Sequence, residues 1–280
     1  MSDRITIDLK AGVADVRLNR PEKMNALDPA MFAALAEVGS ELARAPGLRA
    51  VALTGEGRGF CAGLDMASFA AMSDGERRKD SASGEKKEKP GGGLLDEGTA
   101  GPANFAQSAA WIWRTLPVPV IAGIHGVAYG GGLQIALGAD VRVVAPDARL
   151  SVMEIKWGLV PDMSGTQTLR HLVRDDVARE LTYTGRIISG EEARELGLAT
   201  RVDENPQQAA YDMAMEIASK SPDAIRADKE LLNAASMVSL EEGLQLEASL
   251  QASLIGRPNQ VEAVKANMEK RAPAFADSED

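Results

Sequence analysis

The sequence predicts an α/β fold followed by a helical C-terminal segment, and three observations carry that reading. The order strand, glycine-rich turn, helix occurs twice, first at RAVALT-GEGRGFCAGLD and again at VPVIAGI-HGVAYGGG. A pair of alternating strands precedes them. From about Pro206 onward strand signals vanish and helical spacing takes over, as in Ala210, Met213 and Ile217 and in Leu240, Leu244, Leu246 and Leu250.

Taken in order, residues 5–9 (ITIDL) and 13–18 (VADVRL) alternate apolar and polar around Ala11-Gly12, a hairpin pattern. A helix follows. Asp28 is placed to cap it and Pro29 to occupy its first position, where a missing N–H costs nothing. Residues 49–54 and 118–124 read as buried strands, each ending in a glycine-rich turn, and 141–144 with 150–152 add two short strands. Three glycines at 130–132 then open a short apolar helix that carries Gln134 one step inside it.

Composition bounds the function. At 280 residues and 45% apolar side chains the chain suffices for one large globular domain or a domain with an appendage. A lone cysteine, Cys61, excludes an internal disulfide framework, and no Cys/His cluster has zinc spacing. The opening MSDRITIDLK lacks an apolar signal core, so a cytoplasmic setting is expected. The most apolar region, 117–141, is broken by Pro119, His125 and many glycines, which suits a buried strand, turn and helix better than a membrane span. A net charge of −10 argues against nucleic acid as a partner, so an anionic ligand must meet local basic residues.

Residues 73–102 include GERRKDSASGEKKEKPGGG and are too poor in large apolar groups to offset the entropy of ordering. The composition suits a mobile loop and an inert linker equally; the position after FCAGLD suggests a lid.

Two glycine-rich turns invite a nucleotide reading, and it fails. Neither turn is followed by the Lys and hydroxyl of a Walker A loop, Ile135 stands where a dinucleotide fingerprint needs its last glycine, and residues 57–62 match only the relaxed form. Backbone N–H groups converging from both turns would instead form an oxyanion hole, helped by the positive end of the helix that starts near Gly132.

LNRPEKMNAL (18–27), GRGFCAGLDM (57–66), IHGVAYGGGLQIALGADVR (124–142), SVMEIKWGLVPDMSGTQTL (151–169) and MEKRAPAF (268–275) together resemble the crotonase, or enoyl-CoA hydratase/isomerase, superfamily, in the family's order and across nearly the whole chain. The resemblance implies a spiral of ββα units over 1–205 and a helical trimerisation region over 206–280, giving a homotrimer or a dimer of trimers. It implies acyl-CoA thioester substrates, with no metal and no cofactor beyond the CoA that the substrate carries. The N–H groups of Leu64 and Gly131 would hold the thioester oxygen, each donor contributing roughly 3–4 kcal/mol. CoA would pass the backbone of Lys23, Ala26, Leu27 and Ala62, with Arg20 and Lys23 as candidates for its phosphates and Lys270 and Arg271, of the same or a neighbouring subunit, as further sources of charge. For each of these basic residues a solvated surface role is the competing reading.

In the hydratases of this superfamily two carboxylates hold the attacking water; the first position matches Gln134 here and the second Glu154. An amide does not exchange a proton at useful pH, so full hydratase chemistry is in doubt. Eight residues beyond Glu154 stands Asp162, where a carboxylate resembles the isomerase branches. Glu154 and Asp162 are therefore the catalytic candidates. The residues alone also allow Asp162 as a helix cap and Glu154 as an ion-pair partner of Lys156. Met66, Phe69, Tyr129, Gln134 and Trp157 are candidates for an acyl pocket, though core packing would account for the aromatic and thioether groups as well. His125 and His171 carry no expected catalytic role. Isomerisation of an enoyl- or dienoyl-CoA is the favoured activity, with hydration through Glu154 as the alternative and a noncatalytic acyl-CoA binder as a third reading.

Overall fold

The structure is a computed structural model that describes residues 3–67 and 101–278. Phe69 and all but the last two residues of the 73–102 segment lie outside the described residues, and so does the lid expectation attached to them.

The opening hairpin forms as the alternation predicts. Strands β1 (Ile5–Lys10) and β2 (Val13–Leu18) pair antiparallel, Ile5 opposite Leu18. Helix α1 (Pro29–Leu42) follows, with the Asp28 side chain accepting from Met31 N at 2.8 Å and proline at its start. Next come β3 (Ala50–Gly55), α2 (Phe105–Thr115), β4 (Val120–Ile124), β5 (Val127–Tyr129), α3 (Gly131–Gly138), β6 (Val141–Val144) and β7 (Arg149–Ser151). After a short 3-10 helix (Glu154–Trp157) the chain forms α4 (Gly165–Leu172), α5 (Asp175–Thr184), β8 (Ile188–Ser189), α6 (Gly190–Leu196) and β9 (Arg201–Val202). Four helices close it: α7 (Pro206–Ala218), α8 (Pro222–Ala234), α9 (Leu240–Leu254) and α10 (Pro258–Glu269).

The main sheet has the order β1-β2-β3-β4-β6-β9, parallel from β2 onward, and β5-β7-β8 form a second sheet. Strands β5, β8 and β9 are two or three residues long, too short for alternation to mark them in the sequence. This is the mixed α/β architecture of ββα units expected from the resemblance.

Burial on both faces explains the nearly continuous apolar composition of β3 and β4. Val51 and Leu53 point into the larger core with Val120, Ala122 and Ile124, under α1, α2 and α3. Ala50, Ala52 and Ile121 point the other way, against Ala210, Ala214 and Ala218 of α7. Helix α7 therefore completes the sheet's second face. Helix α9 buries none of its residues, and Leu240, Leu244, Ile255, Val261, Val264 and Met268 are exposed along α9 and α10.

Helix α8 is tied to the core by Lys229, which is 5% exposed. Its ammonium donates to the carbonyls of Trp113 and Val118 and to Asp140, which also accepts from Val120 N. Among the described residues no helix is long and apolar enough to cross a membrane.

Candidate active site

The two glycine-rich turns leave the carboxyl ends of neighbouring parallel strands, β3 and β4, where open α/β sheets present ligands. They are laced together. Cys61 N donates to Val127 O, Tyr129 N to Cys61 O and Phe60 N to His125 O. His125 also bonds Gly57 O through Nε2, a turn-to-turn tie that accounts for it without chemistry.

Asn25, buried and at positive φ, clamps the first turn from below, its amide donating to the carbonyls of Glu56, Gly59 and Phe60. Sequence reasoning did not single it out; a polar residue between the apolar Met24 and Ala26 of LNRPEKMNAL was its only signal. Leu27 N bonds Gly63 O and Ala62 N bonds Met24 O, so the segment around Lys23, Ala26 and Leu27 is stitched against Ala62.

These turns wall a cavity of about 490 Å³, within the range of small-molecule sites and lined mainly by apolar side chains. Of the predicted residues, Lys23, Ala26, Leu27, Ala62, Leu64, Met66, Tyr129, Gly131, Gln134, Glu154, Trp157 and Asp162 all line it. Neither Leu64 N nor Gly131 N has an acceptor among the described residues, and a Cβ built on Gly63 would lie 3.8 Å from Gly131 N. Both residues line the cavity with these donors unused. Met163 adds its thioether beside Gly131, and Phe32 from α1 and Ala106 from α2 complete the wall. The latter two were invisible in the sequence because they arrive from distant helices.

Arg20 is placed otherwise than expected, and Lys270 and Arg271 do not reach the cavity of their own chain. Arg20 does not line the cavity; its guanidinium turns inward to Ala26 O at 3.0 Å and Asp65 at 2.8 Å, with Asp28 at 3.6 Å. Two poorly exposed carboxylates already neutralise it, so it holds the wall together. Lys270 and Arg271 also lie outside their own chain's cavity. Lys270 terminates α10 in the left-handed region, and Arg271 pairs with Glu262 and Glu269. Cys61 is inert: buried, bonded to Asn25 O, its thiol pushed up to about 12 by loss of solvent.

The polar end of the cavity is built around Gln134, which is 2% exposed. Its Oε1 accepts from Met163 N at 2.8 Å and Gly165 N at 2.9 Å, and its Nε2 donates to Glu154 Oε1 at 2.6 Å. Gln134, not Asp162, thus satisfies the N-terminus of α4, whose capping residue Ser164 makes no side-chain bond. The capping reading of Asp162 is thereby removed.

Glu154 is 8% exposed and makes no ion pair with Lys156, whose ammonium lies 5.6 Å from the Trp157 ring centroid. Its Oε2 is buried without a partner. Burial pushes the Glu154 carboxyl above the usual range, against its own N–H and the Gln134 donor, and the Asp162 charge raises it further. Asp162, in a largely exposed residue at the cavity wall, is also raised by partial loss of solvent. His171 lies away from the cavity, bonded to Arg170.

The enoyl-CoA hydratase/isomerase family model matches residues 8–89 and 99–278. The chain belongs to this family. Within the enoyl-CoA hydratase/isomerase family it is 33% identical to the (E)-benzylidenesuccinyl-CoA hydratase of Thauera aromatica, over 97% of this chain and 98% of that one. It is 32% identical to the peroxisomal Delta(3,5)-Delta(2,4)-dienoyl-CoA isomerase of Arabidopsis thaliana, over 92% and 91%. A crystal structure of an enoyl-CoA hydratase from Bacillus anthracis superposes with a TM-score of 0.83 at 32% identity, covering 97% of this chain and 98% of that one. Similarity to a hydratase and to an isomerase is nearly equal, so the choice between reactions within the enoyl-CoA hydratase/isomerase family falls to the residues of the site.

Proposed function

We propose that this protein isomerises the double bond of an enoyl- or dienoyl-CoA through an enolate held by the Leu64 and Gly131 N–H groups. One observation carries the reading: two carboxyl groups, Glu154 and Asp162, share the cavity wall while an amide occupies the position of a third at Gln134. Proton relocation needs one ionised and one protonated carboxyl. Glu154, buried and raised further by the Asp162 charge, fits the acid; Asp162, raised by burial and the better solvated of the two, fits the base.

Asp162 removes a proton from the acyl chain, and the electron pair delocalises into the thioester oxygen, where two N–H donors meet the developing charge. Glu154 then delivers its proton to another carbon, the O–H electron pair remaining on the carboxylate. The two carboxyls have exchanged protonation states, and a proton moving from Asp162 to Glu154 restores the start. No metal or redox cofactor takes part in this scheme.

Hydration is the second reading, favoured by Glu154, which lines the cavity at the position of the second hydratase carboxylate. A panel of 2-enoyl-, 3-enoyl- and 3,5-dienoyl-CoA substrates separates them. Isomerisation changes ultraviolet absorbance at constant mass, hydration adds one water, and ligand retention without turnover would leave only a binding role. We further propose assembly as a homotrimer or a dimer of trimers in the cytoplasm. The exposed apolar residues of α9 and α10 support assembly, and light scattering after gel filtration tests it.

A further inference from the structure

We propose that Gln134 is a positioning residue for proton transfer: it holds Glu154 Oε1 with an N–H group that can only donate, and so confines the exchangeable proton of that carboxyl to Oε2. This rests on the reading that Glu154 exchanges a proton with a bound acyl chain.

The orientation of the Gln134 amide follows from its partners. Met163 N and Gly165 N are both donors, so the atom they meet is the carbonyl oxygen. The NH2 group has then one direction left, toward Glu154, and the short 2.6 Å contact results. Gly165 admits this arrangement because a Cβ there would approach Gln134 Oε1 to 2.6 Å.

The carbonyl oxygen of a protonated carboxyl accepts an N–H bond better than its hydroxyl oxygen does, so the Gln134 donor disfavours a proton on Glu154 Oε1. Protonated Glu154 therefore carries its hydrogen on Oε2, the oxygen with no protein partner, in a side chain that lines the cavity. Delivery of that proton to a substrate carbon leaves its electron pair on Oε2, and the carboxylate formed keeps the Gln134 donor on its other oxygen. An amide is thus suited to this position in a way a carboxylate is not. It directs one neighbouring carboxyl without competing for its proton.

The other ionisable groups of the wall are Asp162, Asp65, Glu22, Lys23 and Tyr129, with Lys156 on the same short helix as Glu154; of these only Asp162 acts appreciably on Glu154. Gln134→Glu is the discriminating variant. It keeps an oxygen for Met163 N and Gly165 N, so α4 stays capped, but it replaces the donor facing Glu154 Oε1 with an acceptor. The proton should move between the two carboxyls and leave Oε2 bare.

The expected result is a fall in turnover of about 10²-fold with KM changed by less than about threefold, and an altered pH profile. A second readout needs no substrate. With carboxyl-labelled glutamate in an Asp162→Asn background, which removes the coupling to Asp162, the carbon signal of Glu154, assigned by its loss in Glu154→Gln, should titrate in one step with Gln134 in place and in two coupled steps in Gln134→Glu. A one-step titration in Gln134→Glu overturns the proposal, and so does turnover that is unchanged or raised. If the unaltered protein converts no acyl-CoA, the isomerase reading falls by itself and the titration alone decides the role of Gln134.

Discussion

Gly63 meets Tyr129 backbone to backbone: a Cβ on Gly63 would lie 2.6 Å from the Tyr129 carbonyl oxygen, and Gly63 sits at φ +84°. The contact presses the first turn against the second beside the cavity that Leu64 and Gly131 both line. Both neighbours of the proposed hole are glycines, but the structure gives them different tolerances.

Gly63→Ala should lower stability, by about 1–3 kcal/mol from the backbone conformation alone and more from the collision with a carbonyl that cannot yield. Gly131→Val should not. Its Cβ would meet Met163 Sδ at 2.8 Å and Leu27 Cδ1 at 2.9 Å, both movable side-chain ends. That variant should fold, with a urea midpoint near the parent's, while acyl-CoA turnover collapses because the hole is crowded. Full activity in a folded Gly131→Val protein would remove the proposed site.

Asp162→Asn should leave thermal unfolding unchanged, since the α4 N-terminus is satisfied by Gln134 and not by Asp162. Isomerisation should fall by about 10²–10⁴-fold, the usual contribution of a general base. Unaltered turnover would show that the proton is taken elsewhere.

The raised Glu154 carboxyl predicts a pH-dependent stability. Its folded value lies above its unfolded value because of burial and the Asp162 charge, so the folded state binds the extra proton and the group weakens folding as pH rises through its folded value. Glu154→Gln removes the ionisation. Its unfolding free energy relative to the parent should be level at acid pH and rise in the variant's favour toward neutral pH, while turnover drops. A difference that does not vary with pH would contradict a buried, raised carboxyl.

Lys229→Met should destabilise the chain by about 3–5 kcal/mol, the cost of stranding one partner of a buried pair. The two carbonyls under α8 lose their donor, and Asp140 keeps only Val120 N of the contacts described above. The cavity does not include Lys229, so activity per folded molecule should persist, which denaturant titration beside an activity assay will test.

The sequence by itself determined the elements whose causes are local. Alternation marked β1 and β2, Asp28 and Pro29 marked the start of α1, and glycine runs marked both turns, because strand period, capping and positive φ are properties of a few adjacent residues. It also brought forward Glu154, Asp162 and the glycines as chemistry. Tertiary structure decided what each polar group does, since that depends on partners far along the chain. Arg20 became a wall residue because Asp65 folds against it. Gln134, not Asp162, caps α4 because Met163 N and Gly165 N converge on it. Strands β5, β8 and β9 form only because β7 and β6 offer them a ladder, and Phe32 and Ala106 reach the cavity because α1 and α2 pack over it. Burial alone separated Glu154 from Asp162, and burial exists only once the chain has closed around the carboxyl.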